Sequence, residues 1–218
     1  MKIPILLLAL CLGTTWLRAE GSLTLTSKGV RCDVESIGSF TLGIPALDGR
    51  GTHLAPIPSR TQTDGKTLTA IYGPPFDDVT LAAKILAGGQ VEYTFDHLPP
   101  DLHLAMCGFN LPVESLVPET TVTFDGGTPK TIPAVAGKTN EEVILASLHA
   151  RKVEIKWPSG ASLNLTASGT CWFGLQDARV WAKKYINVCL TPPLRRDVPG
   201  GEKSTFVLSL SVVPPPVP

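Results

Sequence analysis

The sequence predicts an all-β protein, a two-sheet antiparallel β-sandwich of jelly-roll or supersandwich type with roughly a dozen strands. Twenty prolines and 20 glycines are scattered through 218 residues, which leaves only short apolar runs between breaks. Those runs alternate apolar with polar residues at period two, the spacing of a strand with one face in a core. Where they end, glycine pairs and Pro-Ser-Gly combinations supply the backbone freedom of tight turns.

The elements follow in order. "SLTLTS" alternates from Leu23 to Leu25, Val30, Cys32 and Val34 alternate next, and "SFTLGI" follows. Val79, Leu81, Ala83 and Ile85 share one face of a strand, Gly88-Gly89 turns the chain, and Val91, Tyr93 and Phe95 return on a second. "TVTFDGGTPKTIP" repeats that logic around Asp125-Gly126-Gly127, and "KVEIKWPSGASLNLTA" around Pro158-Ser159-Gly160. Ile186, Val188 and Leu190 then oppose Tyr185, Asn187 and Cys189, and Phe206, Leu208 and Leu210 form a last strand. "NEEVILASLHARK" fits a helix, with acids early and bases late, and fits a strand from Val143 to Leu148 almost equally well. The tail "SVVPPPVP" is expected to stay out of any sheet, because proline lacks an amide donor. There is no internal repeat.

Compartment and domains come from the ends. Lys2, the apolar run Ile3 to Leu12 and the Leu17-Arg-Ala19 site make residues 1–19 a signal peptide, too short for the ~20-residue span of a bilayer. The expected product is a single β-sandwich domain, 20–212, followed by a Pro-rich tail, 213–218, in a secreted or periplasmic protein. Such a domain is large enough to build a core without cross-links. Nineteen basic and 19 acidic residues balance and leave no basic footprint, which makes nucleic acid and anionic membrane poor partners; no nucleic-acid partner is expected. No cofactor is implied, and no membrane insertion.

Export permits disulfides among Cys32, Cys107, Cys171 and Cys189, and four cysteines allow three pairings. A Cys171–Cys189 bridge would contribute about 3 kcal/mol by loop entropy, although the two fall on opposite strand phases.

The segment "TCWFGLQDARVW" concentrates chemistry. If its strand runs on unbroken, period two carries Asp177, Arg179 and Trp181 onto the apolar face of Cys171, Phe173 and Leu175. There the two charges must pair as a buried staple. If the chain breaks at Gln176, the same residues face solvent, where amide, carboxylate and guanidinium can grip vicinal hydroxyls beside a stacking indole. Trp157 and Trp172 fit a core, and Trp181 is the exposed candidate.

The order "YTFDHLPPDLHLAMCGFNLP", "TVTFDGGTPKTIP", "ARKVEIKWPSGASLNLTASGTCWFGLQDARVW", "YINVCLTP" resembles a β-sandwich module carried by secreted bacterial glycoside-hydrolase-like proteins. Its Gln-Asp-x-Arg-x-Trp signature falls on Gln176, Asp177, Arg179 and Trp181. The resemblance implies a non-catalytic protein that binds or presents polysaccharide, accessory to carbohydrate breakdown, with those four residues touching sugar. Its partner is then a polysaccharide or a carbohydrate-active enzyme. This chain departs from the pattern in carrying no attached hydrolase domain.

Other chemistries have thinner support. A glycosidase or polysaccharide lyase needs paired carboxyls, and Asp77, Asp78, Glu92, Glu114, Glu119, Glu141 and Glu142 offer no distinctive spacing. His97 and His103 in "FDHLPPDLH" are weak metal candidates, separated by Pro-Pro and matching no ligand spacing. A copper oxidase of polysaccharides needs an N-terminal histidine, whereas cleavage near Ala19 exposes Glu20. Asn164 begins an Asn-Leu-Thr acceptor pattern but falls within a strand. A third possibility is a structural envelope or assembly subunit in which "QDARVW" is purely a staple.

Overall fold

A computed structural model describes residues 22–34, 38–49, 51, 58–112, 119–192 and 203–215, with the side chains at 103, 104 and 112 excepted. Residues 1–19, expected above to be a signal peptide, Glu114 and the last three residues of the chain lie outside that set. The protein is all-β and antiparallel. Among the described residues no helix is long and apolar enough to cross a membrane.

β1 (Ser22–Thr26), β2 (Gly29–Val34) and β3 (Gly38–Gly43) form a three-stranded sheet in that order. β4 (Ala46–Gly49) leaves it to pair with β9 (Leu102–Pro112). β5 (Pro58–Thr63), β6 (Thr67–Tyr72), β7 (Thr80–Leu86) and β8 (Gln90–Asp96) are consecutive neighbours in the large sheet. The β7–β8 hairpin turns at Gly88 and Gly89, whose φ angles of +71° and +73° are the left-handed values that glycine adopts without a Cβ clash. β10 (Thr121–Phe124) and β11 (Lys130–Thr131) make the hairpin around Asp125-Gly126-Gly127. β12 (Ile144–Lys156), β13 (Ser162–Asp177), β14 (Tyr185–Thr191) and β15 (Ser204–Val213) complete the chain.

β13 is where the sheet branches. Its first part, Ser162–Ala167, pairs with β15, which continues through β8, β7 and β6 to β5. Its last part, Trp172–Asp177, pairs instead with β14, which continues to β9 and β4. The change of partner has a local cause. Between the pairs Lys152↔Thr166 and Ala150↔Cys171, β12 advances two residues while β13 advances five, so β13 bulges and bends there. Ser168 in the bulge is tied on both sides, its Oγ accepting from Val207 N at 3.0 Å and its carbonyl from Arg151 Nη2 at 3.0 Å.

The limbs close on one core. Leu81, Val91, Tyr93 and Phe95 of the first and Cys107, Phe109, Val188 and Leu190 of the second belong to a single buried cluster with Leu25, Val30 and Phe40 of the small sheet. Phe40 and Phe109 meet at 4.9 Å between ring centroids, and Tyr93 stacks on Phe206 at 4.8 Å.

Two expectations resolve or change. The helix-or-strand segment becomes a three-residue 3-10 turn, Asn140–Glu142, followed by strand β12. The early acids belong to that turn, where Glu142 accepts from Lys138 N and Thr139 N. The tail also begins later than expected. Ser211 to Val213 stay in β15, with Val213 opposite Ser162, and the ladder stops where the prolines start at Pro214.

Candidate functional site at the end of strand β13

Alternation carries β13 into the core at Cys171, Phe173 and Leu175 and then places Asp177 on the same face, 0% exposed. Its backbone N donates to Val143 O at 2.7 Å. The strand breaks directly after Asp177 into a 3-10 turn, Ala178–Trp181, which ends at left-handed Ala182. The Asp177 carboxylate starts this turn, accepting from Arg179 N at 3.1 Å.

The same carboxylate meets the Arg179 guanidinium side-on, with Nε to Oδ1 at 2.7 Å and Nη2 to Oδ2 at 2.8 Å. Arg179 then reaches across to a separate loop, where Nη1 donates to Ala134 O at 3.1 Å and Nη2 to Pro133 O at 2.8 Å. The Arg179 side chain is only 13% exposed. Fork geometry matches carboxylate and carbonyl acceptors at once, which an ammonium could not do. One turn further on, Trp181 Nε1 donates to Asn140 Oδ1 at 3.0 Å. Segment 133–143 is thus fastened to the end of β13 at Pro133, Ala134, Asn140 and Val143.

The four signature residues therefore occupy different environments. Gln176 lies on the opposite face of β13 from Asp177, half-buried, and its Oε1 accepts from Asn187 Nδ2 at 3.3 Å. Asp177 is sealed, Arg179 is nearly so, and Trp181 is 51% exposed. This corrects the expectation of one sugar-gripping set. With its oxygens buried and bonded to Arg179, Asp177 presents nothing to a ligand. Both sequence alternatives hold in part, because the strand runs unbroken to Asp177 and turns outward just beyond it. The partners at Pro133, Ala134, Asn140 and Asn187 carried no local signal in the sequence, since all lie on other elements.

The cysteines depart from expectation too. Cys32, Cys107, Cys171 and Cys189 are all buried free thiols, so the anticipated bridges are absent. Burial raises the pKa of Cys32, Cys171 and Cys189 to about 11, and that of Cys107 further. For Cys171 and Cys189 the strand phase explains the separation, because Cys171 follows the core face and Cys189 sits opposite Gly174 on the other.

His97 is exposed in a left-handed conformation, its Nδ1 3.7 Å from Asp96 Oδ1, while the side chain of His103 lies outside the described set. Among the described residues no group of three His, Cys, Asp or Glu side chains is placed to hold a metal ion. Of the carboxyl candidates, Asp77 and Asp78 lie between β6 and β7, Glu92 lies in β8, and Glu141 and Glu142 lie in the first 3-10 turn. Backbone hydrogen bonds from Lys138 and Thr139 hold the Glu142 carboxyl below its usual range. Trp157 is buried, and Trp172 lies over Gly174, where a Cβ would fall 2.3 Å from the ring. Asn164 is buried, with its amide nitrogen bonded to Ser162 Oγ.

Fold and site together define an antiparallel all-β protein that presents one aromatic ring from a clamped turn. No family model matches the sequence, and no curated protein matches it significantly. Two solved structures are similar in shape. The crystal structure of HI1317 is 12% identical over 89% of this chain and 90% of that one, with a TM-score of 0.42. A candidate aldose 1-epimerase of Escherichia coli K12 is 14% identical over 90% of this chain and 80% of that one, with a TM-score of 0.39.

Proposed function

We propose that the chain is an exported, non-catalytic β-sandwich of jelly-roll or supersandwich type that binds or presents polysaccharide, with Trp181 as its stacking platform. The observation that carries this reading is the presentation of Trp181. Half of the residue is open to solvent, while its Nε1 is held by Asn140 and its turn is fastened by the Asp177–Arg179 clamp. A planar ring fixed in this way meets a sugar face with little ordering entropy left to lose. Asp177 and Arg179 support the platform from beneath and do not touch the ligand. The signal-like N-terminus supports export, and the Gln-Asp-x-Arg-x-Trp resemblance supports a role beside carbohydrate breakdown.

The test is co-sedimentation with a panel of insoluble plant, algal and microbial polysaccharides, comparing the parent with Trp181→Ala. Retention of the parent on at least one polysaccharide and loss of the variant supports the reading. Equal retention of both removes the site, and no retention on any polysaccharide removes the function.

One observation favours a second reading, the assembly subunit. The chemistry of the signature is largely spent inside the molecule, since the Asp177 carboxylate is buried against Arg179 and the Arg179 guanidinium also donates to the Pro133 and Ala134 carbonyls. On that reading both proteins fail to bind polysaccharide, and Asp177→Ala acts on stability alone.

A further inference from the structure

Among the described residues, the outer edge of β12 pairs with no strand over half its length. β13 pairs with one side of β12 from Ile144 to Lys156, but β10 covers the other side only from Val153 to Lys156. Asp125 caps the junction by accepting from Arg151 N and Lys152 N. Before that point, among the described residues, Ile144–Ala150 bond to no strand but β13. An uncovered edge is a template for another strand, and folded proteins usually blunt it with proline, charge or brevity. Two other edges here follow that rule, for β5 is the polar PSRTQT and β11 is only two residues long. The open stretch of β12 is ILASLHA, with no proline, acid, lysine or arginine, and it exposes Ile144 at 45% and Leu148 at 51%.

We infer that this edge pairs antiparallel with the same edge of a second copy, about a two-fold axis at Ser147. The occupant follows from complementarity within the strand itself. An antiparallel two-fold puts each element against its own reverse. About Ser147 it sets Leu148 of each copy opposite Ala146 of the other, a large side chain against a small one on the face shared with Phe173 and Leu175. It also brings the exposed Glu141 of each acidic turn to the Arg151–Lys152 end of the partner strand, where two cations outnumber the Asp125 carboxylate, so opposite net charges meet at both ends of the contact. Parallel pairing would set acid on acid and base on base. The bulge at Leu145 bounds the ladder, and the pairing joins the two large sheets into one. This inference stands apart from the polysaccharide reading and uses none of its contact residues.

Sedimentation equilibrium of the folded protein across a concentration series tests it. The parent forms a dimer. Ser147→Lys and Ser147→Glu each set like charges directly across the axis and raise the dimer dissociation constant by more than about tenfold. An equimolar mixture of the two variants restores the dimer, because lysine then meets glutamate. Ser147 is exposed, so both variants are expected to melt like the parent; Leu148→Thr, a strand-compatible change, serves as a second weakening variant. A parent that stays monomeric overturns the inference, whether the edge is then empty or takes a different partner. So do folded variants that dimerise unchanged, and so does a mixture that fails to recover.

Discussion

Two Arg–Asp pairs in this molecule share one spacing and differ in almost everything else. Arg31 and Asp33 stand two residues apart on β2, with Nε 2.9 and 3.0 Å from the two carboxylate oxygens. Asp177 and Arg179 stand two residues apart at the end of β13, with contacts of 2.7 and 2.8 Å. The first pair lies on the surface, its side chains 53% and 37% exposed, and water and salt screen it. A hydrogen bond from Ser39 and then one from Arg31 hold the Asp33 carboxyl below its usual range, but that carboxyl fastens no distant segment. In the second pair the carboxylate is sealed from water and the guanidinium mostly so, and the guanidinium joins the strand end to Pro133 and Ala134. Similar contact distances do not make the pairs equivalent. Burial and the number of remote acceptors decide which one the fold depends on.

The largest expected effect comes from breaking the buried pair by halves. Asp177→Ala leaves a mostly buried guanidinium without its carboxylate, a loss of about 3–5 kcal/mol. For a domain of this size that lowers Tm by roughly 6–20 °C in calorimetry. The thiols sharpen the same contrast between buried and exposed groups. A free thiol ionises near 9.0, whereas Cys32, Cys171 and Cys189 hold their protons to about 11. The unfolded chain therefore binds fewer protons between those values. The stability that these neutral thiols contribute is complete below pH 9 and falls as pH rises toward 11. Melting followed from pH 8 to 11 should show this fall, and a disulfide-forming reagent should modify the buried thiols at pH 8 only after denaturant is added.

Trp181→Ala should cost far less, about 1 kcal/mol for the lost Asn140 bond, while abolishing any polysaccharide retention. Asn140→Ala keeps the ring and frees it, so it should weaken retention without eliminating it. The smallest effect belongs to the surface pair, and Arg31→Ala should leave Tm unchanged within error. A shift comparable to that of Asp177→Ala would break the comparison.

Much of the fold was legible because period-two alternation is a local signal. Val91, Tyr93 and Phe95 declare their face in the sequence, and Gly88-Gly89 declares the turn that returns them to Leu81 and Ala83. The branch in β13 was not legible. "TASGTC" shows a glycine in a strand pattern, but the neighbours of its two halves lie in β14 and β15, and nothing local names them. β12 was ambiguous for a related reason, since a three-residue capped turn gives its acids the placement of a helix start while the apolar residues after it belong to a strand. Within the site, alternation alone buried Asp177. The outward turn that exposes Trp181, and the carbonyls of Pro133 and Ala134 that take up Arg179, come from tertiary contacts beyond the reach of any short pattern.

A double-mutant cycle on Asp177 and Arg179, read by urea denaturation, addresses the clamp most directly. Asp177→Ala and Arg179→Met should each destabilise strongly, and the double variant should lose well under the sum of the two, because the second change removes the charge that the first left stranded. Single variants as stable as the parent, or losses that simply add, would contradict a buried clamp and return both residues to the surface.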